Sequence, residues 1–292
     1  MSVDFLEQMA AGSRQRAEAA KQACPDAELR ARALAAPLPP RLWRHEAGFD
    51  LIAEMKLRSP AVGQLKSGDE DVSARVTAYA HAGAAAVSVL TEPSRFDGSM
   101  EHLELATRAL RPLHVPAMRK DFIVDPCQVS EARLAGAGGV LVIIRMLPRA
   151  ELDALIDRAR ELSLFVLLEA FDEADLELMH QIVESHAKSG VEMLAGVNCR
   201  DLATLQIVPR RLDELAHLLP TSVPRVAESG VGTAEDARRV AAAGYELALV
   251  GSALMQGGDP RALAAAMLEA GRSARGVGGP SVGGAPGSRE SH

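Results

Sequence analysis

The sequence predicts an α/β protein built as a closed (β/α)8 TIM barrel, with an N-terminal helical extension and a disordered C-terminal tail. Three observations carry that expectation. Eight short apolar runs recur: "FDLIAEMK", "AAAVSVLT", "VPAMRKDF", "GGVLVII", "LFVLLEA", "MLAGVNCR", "RVAESG" and "LALVGSA". Their hydrophobicity is continuous rather than alternating, as in parallel strands buried on both faces. Between them lie segments of helical pattern, such as "DVSARVTAYAHAGAAA", "RAELDALIDRARELS" and "TAEDARRVAAAGY", which provide the crossovers that parallel strands need. An open doubly wound sheet is the competing arrangement, and eight such units in about 250 residues favour closure.

The elements follow in order. Residues 5–23, "FLEQMAAGSRQRAEAAKQA", are rich in helix formers and gather Phe5, Leu6, Met9 and Ala10 on one side. A second short helix around "AELRARALA" is stopped by "PLPP" at 37–40, because proline cannot continue a helix and restricts the residue before it. Residues 1–45 therefore form an extension and 46–270 a single barrel domain. The tail, 271–292, is dense in Gly, Ser and Pro and almost empty of large apolar residues, a composition that cannot build a core. "GAGG" at 136–139 follows a helix and precedes a strand, which makes it a helix C-cap rather than a dinucleotide fingerprint.

Composition excludes several function classes. A net charge of −7, with Lys and Arg dispersed along the chain, leaves no basic footprint for nucleic acid or an anionic membrane surface. Cys24, Cys127 and Cys199 lie far apart with no CxxC pair, against a disulfide framework or a zinc site. The N-terminus lacks the order of a secretory signal, and no apolar run approaches the roughly 20 residues of a membrane span. The expectation is a cytoplasmic protein with a small-molecule partner. Self-association stays open.

Polar residues cluster at the carboxyl ends of the runs: Glu54, Lys56, Thr91, Lys120, Glu169, Asn198, Glu228, Ser229, Gly251 and Ser252. In a barrel these ends meet at one mouth, where the fold places its chemistry. That would explain why Arg119, Lys120 and Asp121 interrupt the apolar stretch "PAMRKDFIVDP", since an unpartnered buried cation is expensive. Lys56, Lys120 and Glu169, ending runs one, three and five, could surround one substrate. A lysine with a lowered pKa can deliver a proton and a glutamate with a raised one can accept it. Plain salt bridges are the alternative reading.

The segments "ESGVGTAEDARRV" and "LVGSALM" place Gly230, Gly232, Gly251 and Ser252 after runs seven and eight, with Thr233 as a helix N-cap. Glycine admits a close ligand, and free N–H groups at a helix start attract an anion, so the pair reads as a phosphate site; tight turns are the alternative. None of the eight histidines ends a strand-like run, so no metal site is expected. Cys199 has no activating base beside it.

The segments "IAEMKLRSP", "SVLTEPSRFDGSMEHL", "MRKDFIVDPCQVSEARLAGA", "LLEAFDEADL", "GVNCRDLATL" and "AESGVGTAEDARRVAAAGYELALVGSALM", in that order, resemble the signature segments of the indole-3-glycerol phosphate synthase family. The resemblance implies a lyase of tryptophan biosynthesis. Such an enzyme converts 1-(2-carboxyphenylamino)-1-deoxyribulose 5-phosphate to indole-3-glycerol phosphate, releasing carbon dioxide and water without a cofactor. It implies Lys120 as general acid, Lys56 near the substrate carboxylate and hydroxyls, and Glu169 as base. Glu54, Asn198, Glu228 and Ser229 are implied as supporting polar groups. Ser59, Gly230, Gly251 and Ser252 match its phosphate site, Phe96, Phe122 and Leu147 its anthranilate contacts, and Arg200 a strand-six loop arginine. The resemblance also leaves open association with other tryptophan-pathway enzymes. Three places depart from the family pattern: "SPAVGQ" lacks a loop-one lysine, Ala170 and Phe171 replace Val and His, and Cys199 occupies a variable position. An isomerase of a related phosphosugar and a catalytically silent barrel are the rival readings; the paired strand-end lysines, Lys56 and Lys120, tell against the first, and the retention of Lys56, Lys120 and Glu169 together tells against the second.

Overall fold

A computed structural model describes residues 5–46, 48–60, 63–65, 70–201, 204–208, 210–256 and 259–276. Helix α1 (Phe5–Ala23) and helix α2 (Asp26–Ala35) precede the barrel, separated at Pro25. Strands β1 (Asp50–Met55), β2 (Ala86–Leu90), β3 (Ala117–Lys120), β4 (Gly139–Ile143), β5 (Phe165–Ala170), β6 (Met193–Asn198), β7 (Arg225–Glu228) and β8 (Leu247–Val250) pair in chain order. All pairs are parallel, and β8 closes on β1 with Asp50 opposite Leu247. Between and after them run α3 (Val72–His81), α4 (Met100–Leu110), α5 (Pro126–Leu134), α6 (Arg149–Glu161), α7 (Glu173–His186), α8 (Arg211–Leu215), α9 (Ala234–Ala242) and α10 (Pro260–Gly276).

Local chemistry sets the helix starts. Asp125 and Gln128 form a capping box with Pro126 in the first turn of α5, and Thr233 with Asp236 does the same at α9. Gly136 adopts φ +88° just past α5, and the N–H of Ala137 donates to Ala132 O at 2.9 Å. "GAGG" thus begins as the expected C-cap.

Strand alternation divides the core into two layers. On β5, Phe165 and Leu167 point into the barrel, while Val166, Leu168 and Ala170 pack outward against the helices. The inner layer also takes Ile52, Met118, Leu141, Leu194, Val226 and Leu247 from the other strands. Leu6 and Met9 of α1 join it together with Phe122 and Phe171, so α1 lies across the carboxyl-end mouth. Buried Arg133 fastens the extension by donating to Ala36 O (2.8 Å) and Pro37 O (2.6 Å).

The boundary expected at residue 271 moves. Helix α10 continues to Gly276, with Arg272 donating to Phe49 O (3.0 Å) and Asp50 Oδ1 (2.8 Å) and Arg275 to Gly244 O (3.1 Å). A Cβ at Gly271 would come within 2.1 Å of the Phe49 ring. That glycine is a packing residue, indistinguishable by composition from the Gly-rich stretch beyond it. The rest of the expected tail, 277–292, lies outside the described residues.

Candidate active site

The same alternation aims the polar residues. Met118 and Lys120 face inward on β3 while Arg119 points outward, where it donates to Gln128 O (2.8 Å) and to Asp121 (3.2 Å). The consecutive charges of the "RKD" stretch therefore serve different sides of the sheet. Glu169 follows Phe165 and Leu167, Asn198 follows Leu194 and Gly196, and Glu228 follows Val226, each the last inward residue of its strand.

These side chains form one network. Lys120 Nζ donates to Glu169 Oε1 at 3.2 Å and lies 3.7 Å from Glu228 Oε2. Asn198 Nδ2 donates to the same Glu169 oxygen at 2.9 Å. Lys56 Nζ donates to Glu54 Oε1 at 2.5 Å. Two glycines leave room for them: a Cβ at Gly196 would stand 2.2 Å from Glu228 Oε1, and one at Gly251 would stand 2.3 Å from Glu54 Oε1.

Electrostatics differ from expectation at Lys120. Burial pulls its pKa down, but Glu169, Glu228 and Glu54 together outweigh burial and raise it above the ordinary lysine value. It is therefore a firmly charged ammonium, not a lysine with a lowered pKa. Burial and the neighbouring Glu169 carboxylate push Glu228 well above the usual carboxylate range, against the pull of Lys120. Among the described residues neither of its oxygens receives a hydrogen bond. Burial also works against charge on Glu54, yet the Lys56 and Lys120 ammonium groups hold it below its ordinary value.

A cavity of about 450 Å³ opens above this network. Among the expected site residues, it is lined by Glu54, Lys56, Ser59, Phe96, Lys120, Phe122, Glu169 and Asn198, and by Arg200, Glu228, Ser229, Gly230, Gly251 and Ser252. Leu147 is not among them. β4 ends at Ile143 and turns through a 3-10 segment, so Leu147 falls beyond the strand end and packs in the outer layer. The β4 residues that do face the cavity are Leu141 and Ile143, which the inward alternation of the strand would have identified. Phe5 also lines it, with its ring 5.9 Å from that of Phe122, while Phe96 lies 6.1 Å from Phe122 on another side. No sequence signal marks Phe5 as a wall residue, because its place depends on how α1 docks.

At the other end, Ser229 and Gly230 take successive left-handed conformations, φ +63° and +69°, which turns their backbone toward the cavity. Arg200 reaches back to Leu205 O at 2.7 Å, and Asp201 lies 3.9 Å from Arg211. The helix start after β7 is partly self-satisfied: the N–H groups of Gly232 and Thr233 both donate to Asp236 Oδ2 at 3.0 Å. An anion must therefore rely on the Ser229–Val231 and Gly251–Ala253 turns, a narrower cradle than the sequence suggested.

Comparison with known proteins gives the lineage. The family model described as indole-3-glycerol phosphate synthase matches residues 6–267. The chain belongs to the indole-3-glycerol phosphate synthase family. A relative so named from Mycobacterium leprae (strain Br4923) is 39% identical over 256 residues, covering 87% of this chain and 90% of that one. Another so named, from Parafrankia sp. (strain EAN1pec), is 41% identical over 221 residues, covering 76% and 78%. Among solved structures, the 3-hexulose-6-phosphate synthase of Salmonella typhimurium is 14% identical with a TM-score of 0.58. The match covers 77% of this chain and 99% of that one, and it carries the barrel fold alone.

Against the family pattern, Ala170 sits in the outer layer, and Phe171 packs in the inner one beneath Arg145, 4.7 Å from the guanidinium. Cys199 is buried under Gly230, whose added Cβ would lie 2.7 Å from the sulfur. Burial pushes its thiol up to about 11, as suits a packing residue. The missing loop-one lysine falls at 61–62, outside the described residues. Among the described residues no helix is long and apolar enough to cross a membrane.

Proposed function

We propose that this protein closes the indole ring of 1-(2-carboxyphenylamino)-1-deoxyribulose 5-phosphate, and that the barrel mouth is where it does so. The observation that carries the reading is the convergence of Lys56, Lys120 and Glu169 on one cavity that is also lined by the glycine-bearing turns at Ser229–Gly232 and Gly251–Ala253. The aromatic walls suit the anthranilate ring, and the glycine-rich turns suit the phosphate.

In the first step the ring carbon bearing the carboxylate attacks the ketose carbonyl. Negative charge grows on the carbonyl oxygen, and Lys120 stabilises it and passes it a proton. A lysine of raised pKa suits this task, because it stays charged until a strongly basic oxyanion forms. Carbon dioxide then leaves, and its electron pair restores ring aromaticity. Finally the new hydroxyl departs as water after taking a proton, and an adjacent carbon loses a proton to a base. For this loss Lys56, paired with Glu54, stands ready as a donor, and Glu228, whose carboxyl burial drives toward the protonated form, as a second, with Glu169 as the acceptor. Asn198 holds Glu169 in place. We assign the catalytic domain to residues 46–276, with the extension as its cover, and a cytoplasmic setting in which Cys24, Cys127 and Cys199 stay unpaired.

Purified protein incubated with the substrate, followed by indole absorbance, tests the reading. A steady rise that requires Lys120 supports it; no product at micromolar enzyme would overturn it.

A further inference from the structure

Arg16 of α1 sits between two buried carboxylates that the mechanism does not use. Its Nη2 donates to Asp121 Oδ1 at 2.7 Å, and its Nη1 lies 3.8 Å from Glu92 Oε1. Both partners are almost wholly inaccessible, Asp121 at 3% and Glu92 at 1%.

Each carboxylate organises part of the cavity wall. Asp121 follows Lys120 directly and accepts the N–H of Phe122 at 2.8 Å on the oxygen that Arg16 holds. Its other oxygen accepts from Thr91 Oγ1 (2.7 Å) and Arg119 (3.2 Å). Thr91 in turn donates its N–H to the carbonyl of Lys120 at 3.1 Å. Glu92 accepts from Ser94 N (2.9 Å) and Arg95 N (2.7 Å), capping the short helix that ends in Phe96. The residue after the β3 lysine and the turn bearing Phe96 are thus tied through one guanidinium to a helix distant from both in sequence.

We propose that Arg16 is a positioning residue: by bridging Asp121 and Glu92 it makes the docking of α1 and the alignment of Lys120, Phe96 and Phe122 a single event. The part concerning catalysis rests on the function proposed above. The physical reason is the burial of the two carboxylates. Without Arg16, among the described residues Arg119 remains as a nearby cation for Asp121 alone, and a buried charge that loses its partner pulls its segment toward water. Planar, two-armed arginine can serve both at once, whereas a point-charge lysine reaches one at a time.

Arg16→Met tests this, with Arg16→Lys as the conservative variant. The Arg16 side chain is 31% exposed, so both variants should fold, checked by thermal melts within a few degrees of wild type. Amide exchange read by mass spectrometry is expected to speed up about tenfold in peptides 91–97 and 117–124 of Arg16→Met, and about threefold in Arg16→Lys. In turnover, kcat should fall about tenfold in Arg16→Met and recover to within about threefold in Arg16→Lys. A mere anchor for α1 would raise KM through loss of Phe5 while leaving kcat alone. Exchange changes confined to residues 5–23, or a kcat of Arg16→Met within twofold of wild type, would overturn the proposal. A wild type that makes no indole product would count against the function, and the exchange of 91–97 and 117–124 would then decide the bridge by itself.

Discussion

Lys120 on β3 and Glu169 on β5 are 49 positions apart in sequence, yet their side-chain tips meet at 3.2 Å inside the barrel mouth. Neither contact nor polarity alone makes this a site. What does is that the lysine faces three carboxylates, all standing in the same ring of last inward residues, so that its charge is held firmly and its proton is released only to a stronger base.

Lys120→Met should lower kcat at least about a hundredfold, the usual scale of a lost proton donor. The barrel should persist, because the methionine stem can occupy the lysine's place against the inner layer. Circular dichroism with indole absorbance checks both halves. Normal turnover would reassign the donor.

Glu228→Gln should reverse a pH-dependent strain. The folded protein holds this carboxyl well above its unfolded value, so the stability it contributes is present below the unfolded pKa and is lost as pH rises through the folded one. The glutamine variant lacks that loss. Its melting temperature relative to wild type should therefore climb as pH increases from about 4, near the unfolded glutamate value, toward neutrality. A constant difference across that window would argue that Glu228 is ionised in the fold.

Gly196→Ala places a methyl group where Glu228 Oε1 now stands, 2.2 Å away. Overpacking of this kind costs about 1–3 kcal/mol, and the displaced carboxylate should disturb Lys120. We expect a lower melting temperature together with a kcat reduced by about tenfold. Kinetics and melts on the same preparation separate the two effects.

Asp236→Asn bears on the phosphate end. Burial works against charge on Asp236, but the N–H groups of Gly232 and Thr233 and the Thr233 hydroxyl keep it ionised, with a pKa below its ordinary value, and it lines the cavity. Asparagine can still accept those hydrogen bonds while removing the negative charge. KM for the phosphorylated substrate should drop about threefold, the scale of one exposed charge interaction, with kcat unchanged. Inhibition by inorganic phosphate should tighten in parallel.

Much of this was legible in advance for a simple reason. A strand that ends at a barrel mouth must carry its chemistry on its final inward residues, and Glu54, Lys120, Glu169, Asn198 and Glu228 each stand at the end of an apolar run. Leu147 was misplaced because a residue just past a strand end has no fixed facing until the following turn is known. The Gly271–Gly276 segment was misread because glycine content describes composition and not what packs against it. The direction of the Lys120 shift was missed because it depends on how many carboxylates surround one nitrogen.

By itself the sequence determined the repeat of strand and helix, the polar residues at the strand ends and the helix caps, since each depends on neighbours along the chain. Tertiary structure alone decided that Lys120 faces Glu169, Glu228 and Glu54, that Phe5 forms a wall and that Arg16 spans Asp121 and Glu92. These rest on distances between segments brought together only when the barrel closes and α1 settles on its mouth, and a linear pattern holds no record of such distances.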